Sequence, residues 1–498
     1  MIVALTGASG NMGKETLKSL LECEEITTLR ILVKQDKKSL KEARKAKRKY
    51  GARVEVIEGD VRRYEDCLAL VRGAEYVYHL AAVIPPRADH FIEEAVATNY
   101  DGTVNMVRAI IEDGNTAKMI HISTVALYGN RDEKHPWGRV GDPLLTSAFD
   151  AYGTSKLRAE RYLLESDLKT WAVIRQTGIL YDNMLMNNIS DGLMFHTPWN
   201  VPIEWVTAKD SGVLMKKIFL ATKDGGEKDF WKQVYNLGGG AGCRQTGYET
   251  FDDGFKLIGG SVKRFFDPDW NAVRNFHCFW FSDSDVLEEK FHFRSETCES
   301  FWKWFSRRHK IYSLGAILPA RLLKSLVIKR LLKNSNAPEY WKKKGLEDRV
   351  FAIYGNKTPA KKWEDTDLLC ESERYASIKR YDPSFDLPHG YDEKKPDREL
   401  TAADLAEAAA FRGGSLEGDY KAGNLYQKVK WRCARGHEFF SSPFTVLKAG
   451  HWCPECSMPD RKWEFDLLAK ENPFFASVWY DSHEKGEDRV YVLTDEEK

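Results

Sequence analysis

The 498-residue sequence predicts an α/β protein: a doubly wound parallel sheet, then a smaller and less regular portion, then a small C-terminal domain held by cysteine and histidine. Three observations predict it. An apolar run at residues 2–6 ends at Gly7 in a glycine-punctuated turn and passes into a helical pattern through Leu17, Leu20 and Leu21. Strands expected at 29–33, 54–58, 76–82, 118–123 and 171–175 then alternate with helices near 64–71, 91–112 and 151–165, the rhythm of a parallel sheet covered on both faces. Finally, Cys433, Cys453 and Cys456 cluster while the other six cysteines scatter, the usage of reduced thiols plus a metal site rather than of a disulfide framework.

From about 180 to 310 the alternation fades. Turn-forming Asn236-Leu237-Gly238-Gly239-Gly240 and the aromatic run Phe301-Trp302-Lys303-Trp304-Phe305 fall here, and this portion is expected to shape a substrate pocket. Pro319 opens an amphipathic helix in which Leu322, Leu323, Leu326, Val327 and Leu331 alternate with Arg321, Lys324, Lys329, Arg330 and Lys333. Its leucine face is read as packing on the preceding portion, with an anionic membrane surface as the alternative. Residues 1–333 are therefore taken together, 334–400 as a charged, Pro- and Gly-containing connector, and 401–498 as an accessory module and tail.

Charged residues at 30%, apolar residues at 43% and a formal charge of +1 describe a soluble globular chain with no global field to recruit nucleic acid or acidic membrane. The N-terminus lacks the features of a signal peptide. Arg321 and Lys324 interrupt the best apolar stretch, so none reaches the roughly 20 residues of a bilayer span. A cytoplasmic location is expected.

Thr6-Gly7-Ala8-Ser9-Gly10-Asn11-Met12-Gly13 places glycines at 7, 10 and 13 on a strand-to-helix junction. Missing side chains there let the backbone approach a pyrophosphate, and the helix N-terminus favours its charge. Tyr152-Gly153-Thr154-Ser155-Lys156 sets a phenol and an ammonium four residues apart on one helix face. Free tyrosine titrates at ~10, and a neighbouring cation favours the phenolate, so Lys156 is expected to make Tyr152 a usable acid/base.

Further landmarks fall in order between these motifs: Gly59-Asp60-Val61, His79-Leu80-Ala81-Ala82, Asn99 within Thr98-Asn99-Tyr100-Asp101-Gly102-Thr103, and Ser123-Thr124-Val125-Ala126-Leu127-Tyr128-Gly129. With them, residues 1 to about 240 resemble the extended short-chain dehydrogenase/reductase superfamily, in its epimerase/dehydratase-like branch. The resemblance implies a Rossmann-type fold and a nicotinamide cofactor held by Gly7, Ser9, Gly10, Asn11, Met12 and Gly13, with Asp60 and Val61 at the adenine and Leu80, Ala81 and Ala82 alongside. It also implies that Lys156 holds the nicotinamide ribose, Thr124 hydrogen-bonds the substrate oxygen, Asn99 steadies the lysine, and Tyr152 donates a proton as hydride arrives. Arg175-Gln176-Thr177-Gly178 and Trp205-Val206-Thr207-Ala208-Lys209-Asp210 resemble the family too, although Gln176 stands where proline is common.

The end of the second strand, where an acidic residue would take the ribose 2′-hydroxyl of NAD, holds Lys34 and leads into a basic segment at 37–49. This favours NADP(H), with Asp36 as the acidic alternative that would favour NAD. Val125-Ala126 follow Thr124 where dehydratases of the resembled family carry Asp-Glu, which disfavours dehydration. Three functions stay open: a reductase acting on a small-molecule carbonyl or hydroxyl substrate, which leads; a nucleotide-sugar epimerase with tightly bound NAD; and a cofactor-binding regulator recruited through its C-terminal module.

That module carries Cys433-x3-His437 and Cys453-x2-Cys456, two close pairs of donors suited to tetrahedral zinc. His451 competes as a fourth ligand. A closed site has no position for water, so the zinc is expected to be structural in a segment too small for its own core, and its loss to unfold the tail without abolishing chemistry. The surrounding residues resemble zinc-ribbon or treble-clef-like accessory modules. Lys428, Lys430, Arg432 and Arg435, interleaved with Tyr426 and Trp431, read as a solvated surface, since no recognition helix supports a nucleic-acid contact. Oligomeric state stays open, a homodimer included.

Overall fold

The computed structural model describes residues 1–188, 190–257, 259–310, 319–459 and 461–493. Its main sheet has seven strands: β1 (Ile2–Thr6), β2 (Thr28–Val33), β3 (Val54–Glu58), β4 (Tyr76–His79), β5 (Lys118–Thr124), β6 (Trp171–Gln176) and β7 (Gln233–Leu237). They lie in the order β3-β2-β1-β4-β5-β6-β7, every pair parallel. The central strands are apolar along their whole length because helices cover both faces; Val3, Ala4 and Leu5 are fully buried. Helices α1 (Asn11–Leu20), α2 (Lys37–Tyr50) and α6 (Ala208–Thr222) pack with one face, and α3 (Tyr64–Val71), α4 (Gly102–Glu112) and α5 (Ala151–Leu164) with the other. This is the Rossmann-type arrangement the sequence predicts. The strand order reverses between β1 and β4, which opens a crevice at their carboxyl ends.

Three local differences from the sequence expectation have physical causes. Strand β4 stops at His79 rather than 82, because the Leu80 and Ala81 amides donate to Thr6 Oγ1 (3.1 and 3.0 Å) instead of to a neighbouring strand. The helix expected over 91–112 is continuous from Ile92 to Glu112 but widens by one turn at Ala97–Asp101 before α4, where the Thr103 hydroxyl donates to the Asn99 carbonyl (2.8 Å). Asn236 and Leu237 belong to β7 rather than to a turn, paired with Arg175 and Gln176, so the turn is the glycine triplet after them.

The smaller portion has a three-stranded sheet with Pro202–Thr207 central and an aromatic core of Phe195, Trp199, Phe265, Phe266 and Trp270. The basic helix runs from Ala320 to Leu331 with a wide turn at Lys324–Ile328. Ile328, Leu331 and Leu332 bury against that core, while Leu322 stays 43% exposed. The side chains of Leu323 and Leu326, and residues 311–318 of the apolar stretch, lie outside the described residues. Among the described residues, no helix is long and apolar enough to cross a membrane.

Residues 334–400 carry helices at Pro338–Lys344 and Glu347–Tyr354 and bury Trp341, Ile353, Leu368, Leu387 and Leu400. Beyond them, the hairpin Val429–Arg432/Glu438–Ser441 with Ser415–Leu416 brings Trp431, Phe439, Phe444 and Trp452 into the apolar cluster that contains Leu163, Leu164 and Trp171. The C-terminal residues thus share a core with α5 and β6.

Candidate functional site

The crevice begins at β1. Gly7 has φ +73°, and a Cβ there would lie 2.9 Å from the Ala81 nitrogen, while one at Gly13 would lie 2.0 Å from the Gly7 carbonyl oxygen. Only glycine fits this turn. Gly10 caps α1 without a side-chain bond, Asn11 and Met12 open the helix, and Ser9 Oγ lies 3.2 Å from Ser39 Oγ. The cradle therefore offers backbone groups and a helix N-terminus, the donor set that suits a dinucleotide pyrophosphate.

At the adenosine end, Lys34 follows β2 directly, with Nζ 3.7 Å from Asp60 and 3.5 Å from Glu94. Burial would raise the Asp60 carboxyl, but Arg62, bonding through both its backbone and its guanidinium, and Lys34 hold it below its ordinary value. Asp36 caps α2 by accepting from the Ser39 amide (2.9 Å), so the alternative acidic residue already has a structural partner. Val61 is buried beside this end.

Strand β5 ends at Thr124, and α5 starts one residue before Tyr152, capped by Asp150, which accepts from the Gly153 amide (2.7 Å). Tyr152 is half-buried against Val83, Ala88 and Ala95, with the Thr124 hydroxyl within hydrogen-bonding reach. Its phenol is pushed up to about 12 by burial, with Thr124 opposing and Asp150 adding to the rise. The expected lowering by Lys156 is not found. The lysine turns toward β5 instead, donating to the Ile122 carbonyl (2.7 Å) and lying 3.3 Å from His121 Nε2. Burial pulls its ammonium down to about 7, and the charge of Glu160 opposes that fall. Asn99 has no direct bond to the lysine: Oδ1 accepts from the Val83 amide (2.8 Å), and Nδ2 donates to the Val83 carbonyl and Ser155 Oγ (both 3.0 Å). It fixes the loop beneath Tyr152 to α5.

Gly10, Asn11, Lys38 and Ala82 share the wall of a cavity of about 780 Å³ with Met184, Phe251, Phe255, Phe265, Trp302 and Ile328. Of its charged lining residues, Arg87 is paired with Glu94 and Asp191 with His90 and Asn336. The basic helix contributes Ile328, which ties it to this pocket.

Sequence reasoning missed several groups around the tyrosine. His121 and His79 are fully buried and pushed well down by that burial, so both are neutral; His79 Nδ1 and Nε2 face Thr6 and Thr103 hydroxyls. Asp89 is pushed up to about 8 by burial and by Asp150 and Asp191. Asp150 could have been found as a capping residue just before the Tyr-x-x-x-Lys helix, and His79 opens the His79-Leu80-Ala81-Ala82 landmark; His121 and Asp89 carry no local pattern.

Behind Lys156, Glu160 and Arg175 form a fully buried ion pair (2.6 Å). The Ser123 hydroxyl also donates to Glu160 (2.6 Å), and Arg175 donates to the Tyr128 hydroxyl (2.7 Å). Gln176 leaves its Oε1 buried without a partner among the described residues. His451 Nε2 lies 3.0 Å from Glu160 Oε1, which places it on the Rossmann-type core and outside the cysteine cluster.

Cys433 and His437 sit at the ends of the hairpin turn, and Cys453 and Cys456 flank a short helix start. Cys433 Sγ lies 3.8 Å from Cys456 Sγ, and His437 Nδ1 lies 3.5, 3.6 and 3.3 Å from the sulfurs of Cys433, Cys453 and Cys456. These are the edges of a tetrahedron whose donors stand about 2.0–2.3 Å from a common centre, so the four fit a metal ion.

Residues 3–174 match the NAD dependent epimerase/dehydratase family. Among curated proteins, 3 beta-hydroxysteroid dehydrogenase type 7 of Rattus norvegicus is 25% identical over 170 residues, 34% of this chain and 49% of the relative. UDP-glucose 4-epimerase of Rickettsia akari is 32% identical over 124 residues, 24% of this chain and 35% of the relative. The chain thus spans about half, or less, of the length of the curated relatives it matches. A solved dTDP-glucose 4,6-dehydratase from Bacillus anthracis in complex with NAD is 17% identical with a TM-score of 0.49, covering 63% of this chain and 98% of that one. UDP-glucose 4-epimerase from Bifidobacterium longum, in complex with NAD+ and UDP, gives 15% and 0.47 over 64% of this chain and 100% of that one.

Proposed function

We propose that this chain is an NAD(P)(H)-dependent oxidoreductase that interconverts a carbonyl and a hydroxyl on a large, apolar small-molecule substrate. The observation that carries this reading is the shared wall of the cavity, where the glycine turn for the cofactor adjoins a lining of phenylalanine, tryptophan, methionine and isoleucine side chains. A nucleotide sugar needs polar and cationic partners for its diphosphate and hydroxyls, and burying those groups against apolar walls is costly, so the lining favours a dehydrogenase over an epimerase.

In this reading the nicotinamide supplies or accepts the hydride when bound. The Thr124 hydroxyl donates to the substrate oxygen and orients it. Tyr152, protonated at neutral pH, passes its proton to that oxygen as negative charge develops there. Lys156, bonded to the Ile122 carbonyl, ties the helix that carries Tyr152 to β5. Lys34 and Lys38 stand where a ribose 2′-phosphate would find positive charge, while Asp36 is occupied as a cap, which favours NADP(H). The C-terminal cluster is read as a structural zinc site.

The test is fluorescence titration with NADPH and NADH after checking the purified protein for retained nucleotide, followed by a turnover screen of bulky apolar ketones and alcohols against UDP-glucose. Preferential NADPH binding with turnover of an apolar ketone supports the reading. Retained NAD with epimerisation of the sugar nucleotide overturns it.

A further inference from the structure

We propose that the C-terminal module positions the catalytic helix: His451, held by the cysteine–histidine cluster beside it, fixes Glu160 and with it the rate of the chemical step. The proposal rests on the oxidoreductase reading for its kinetic part only.

Helix α5 is anchored to the module at three successive places beyond its reactive turn. His451 Nε2 donates to Glu160 (3.0 Å), Arg161 donates to the Trp452 carbonyl (2.5 Å), and Glu165 accepts from Ser441 Oγ and the Ser442 amide (2.7 and 3.1 Å). Glu160 lies one helical turn after Lys156, so the two side chains share a face. It also holds Ser123, the residue before Thr124. One buried carboxylate therefore touches both elements that bear the reacting side chains.

The module also completes a network that the Rossmann-type core leaves short. Glu160 and Arg175 are each fully buried, and Arg175 spends one donor on the Ala449 carbonyl of the module (2.7 Å). A buried pair is favourable only when its remaining donors and acceptors are filled, and here His451 and Ala449 fill them. The segment that provides both is stiff. Gly450 has φ +81°, a Cβ there would lie 2.2 Å from the Asp142 carbonyl oxygen, and Trp452 is buried against Trp431 and Phe439. Cys453 follows at once. A metal on Cys433, His437, Cys453 and Cys456 thus clamps the residue next to the 449–452 segment, and its loss frees the far end of the Glu160 contact.

The test uses the full-length, metal-loaded protein. His451→Ala is expected to keep its metal and its NADPH affinity while kcat falls about tenfold with KM little changed, the loss of one charge-assisted hydrogen bond. His451→Gln, which retains a donor for Glu160, is expected to recover most of that loss. Removal of the metal by a chelator, followed by metal analysis, is expected to speed amide exchange at residues 151–164 and leave residues 28–33 unchanged. Unchanged kcat in metal-loaded His451→Ala overturns the proposal, as does unchanged exchange at 151–164 after metal loss. So does an equal loss in the Gln and Ala variants together with weakened NADPH binding, since that marks a merely structural residue. The exchange measurement needs no substrate, so the positioning claim stands or falls apart from the assignment of the reaction.

Discussion

Where the first turns of α5 meet the crevice, Tyr152 and Lys156 stand among groups that shift their titration, with few bonds of their own; where its later turns meet the C-terminal module, Glu160, Arg161 and Glu165 are each held by specific hydrogen bonds. The front of the helix leaves the Tyr152 phenol half-buried beside Thr124, and the back immobilises the helix that carries it. A reacting group needs accurate placement more than it needs partners, and the division of labour along one helix meets both demands.

The largest effect expected on the front is from Tyr152→Phe. It removes the proton donor but not the glycine turn, so NADPH binding should persist while turnover falls by about 10²–10⁴; steady-state rates alongside fluorescence titration check both halves. Turnover at the native rate would move the acid/base role away from Tyr152.

On the back, Arg175→Met leaves the buried Glu160 carboxylate without its main partner. Breaking such a pair costs about 3–5 kcal/mol, and urea unfolding of the variant against the native protein measures it. The double variant Arg175→Met/Glu160→Leu should recover much of that loss, because the unpaired charge is gone. If it does not, the back of the helix is held by packing rather than by the polar network.

A smaller effect should appear with pH. Burial depresses Lys156 to about 7, so the side chain is charged below that pH and neutral above it. That charge bonds the Ile122 carbonyl rather than Tyr152, so its pH effect is on stability, which urea unfolding on either side of about pH 7 measures and Lys156→Met should flatten. Because the folded value lies below the ordinary lysine value, the buried ammonium lowers stability fully below about 7, and the penalty is relieved as pH rises toward the unfolded value.

The smallest expected change is at the adenosine end. Lys34 is partly exposed and shared between Asp60 and Glu94, so Lys34→Ala should weaken NADPH relative to NADH by only a few-fold, in keeping with exposed charge pairs worth about 0.2–1 kcal/mol. Parallel titrations with the two nucleotides measure the ratio.

Much of the front is legible in the amino-acid sequence. The strand, glycine turn and helix at residues 2–20 declare themselves because the constraint is local: a φ of +73° at Gly7 and the contact between Gly7 and Gly13 allow nothing larger. The spacing of Tyr152 and Lys156, the Cys433/His437 pair and the Cys453/Cys456 pair are likewise short-range facts. Strand β7 is hidden because the glycine triplet after it suggests a turn, and only its pairing with β6 makes it a strand.

The sequence by itself determined the α/β alternation, the glycine cradle, the order of the reactive residues and the four donors of the cluster, because each depends on residues within a turn or a few turns of one another. Tertiary structure alone decided which way Lys156 points, that the aromatic portion encloses an apolar cavity, and that Glu160 is a buried anchor rather than a surface partner of its helix. Glu160 acquires that role from Arg175, 15 residues away, and His451, 291 residues away. Burial and charge pairing at such range are properties of the folded chain, set by packing that no local pattern encodes.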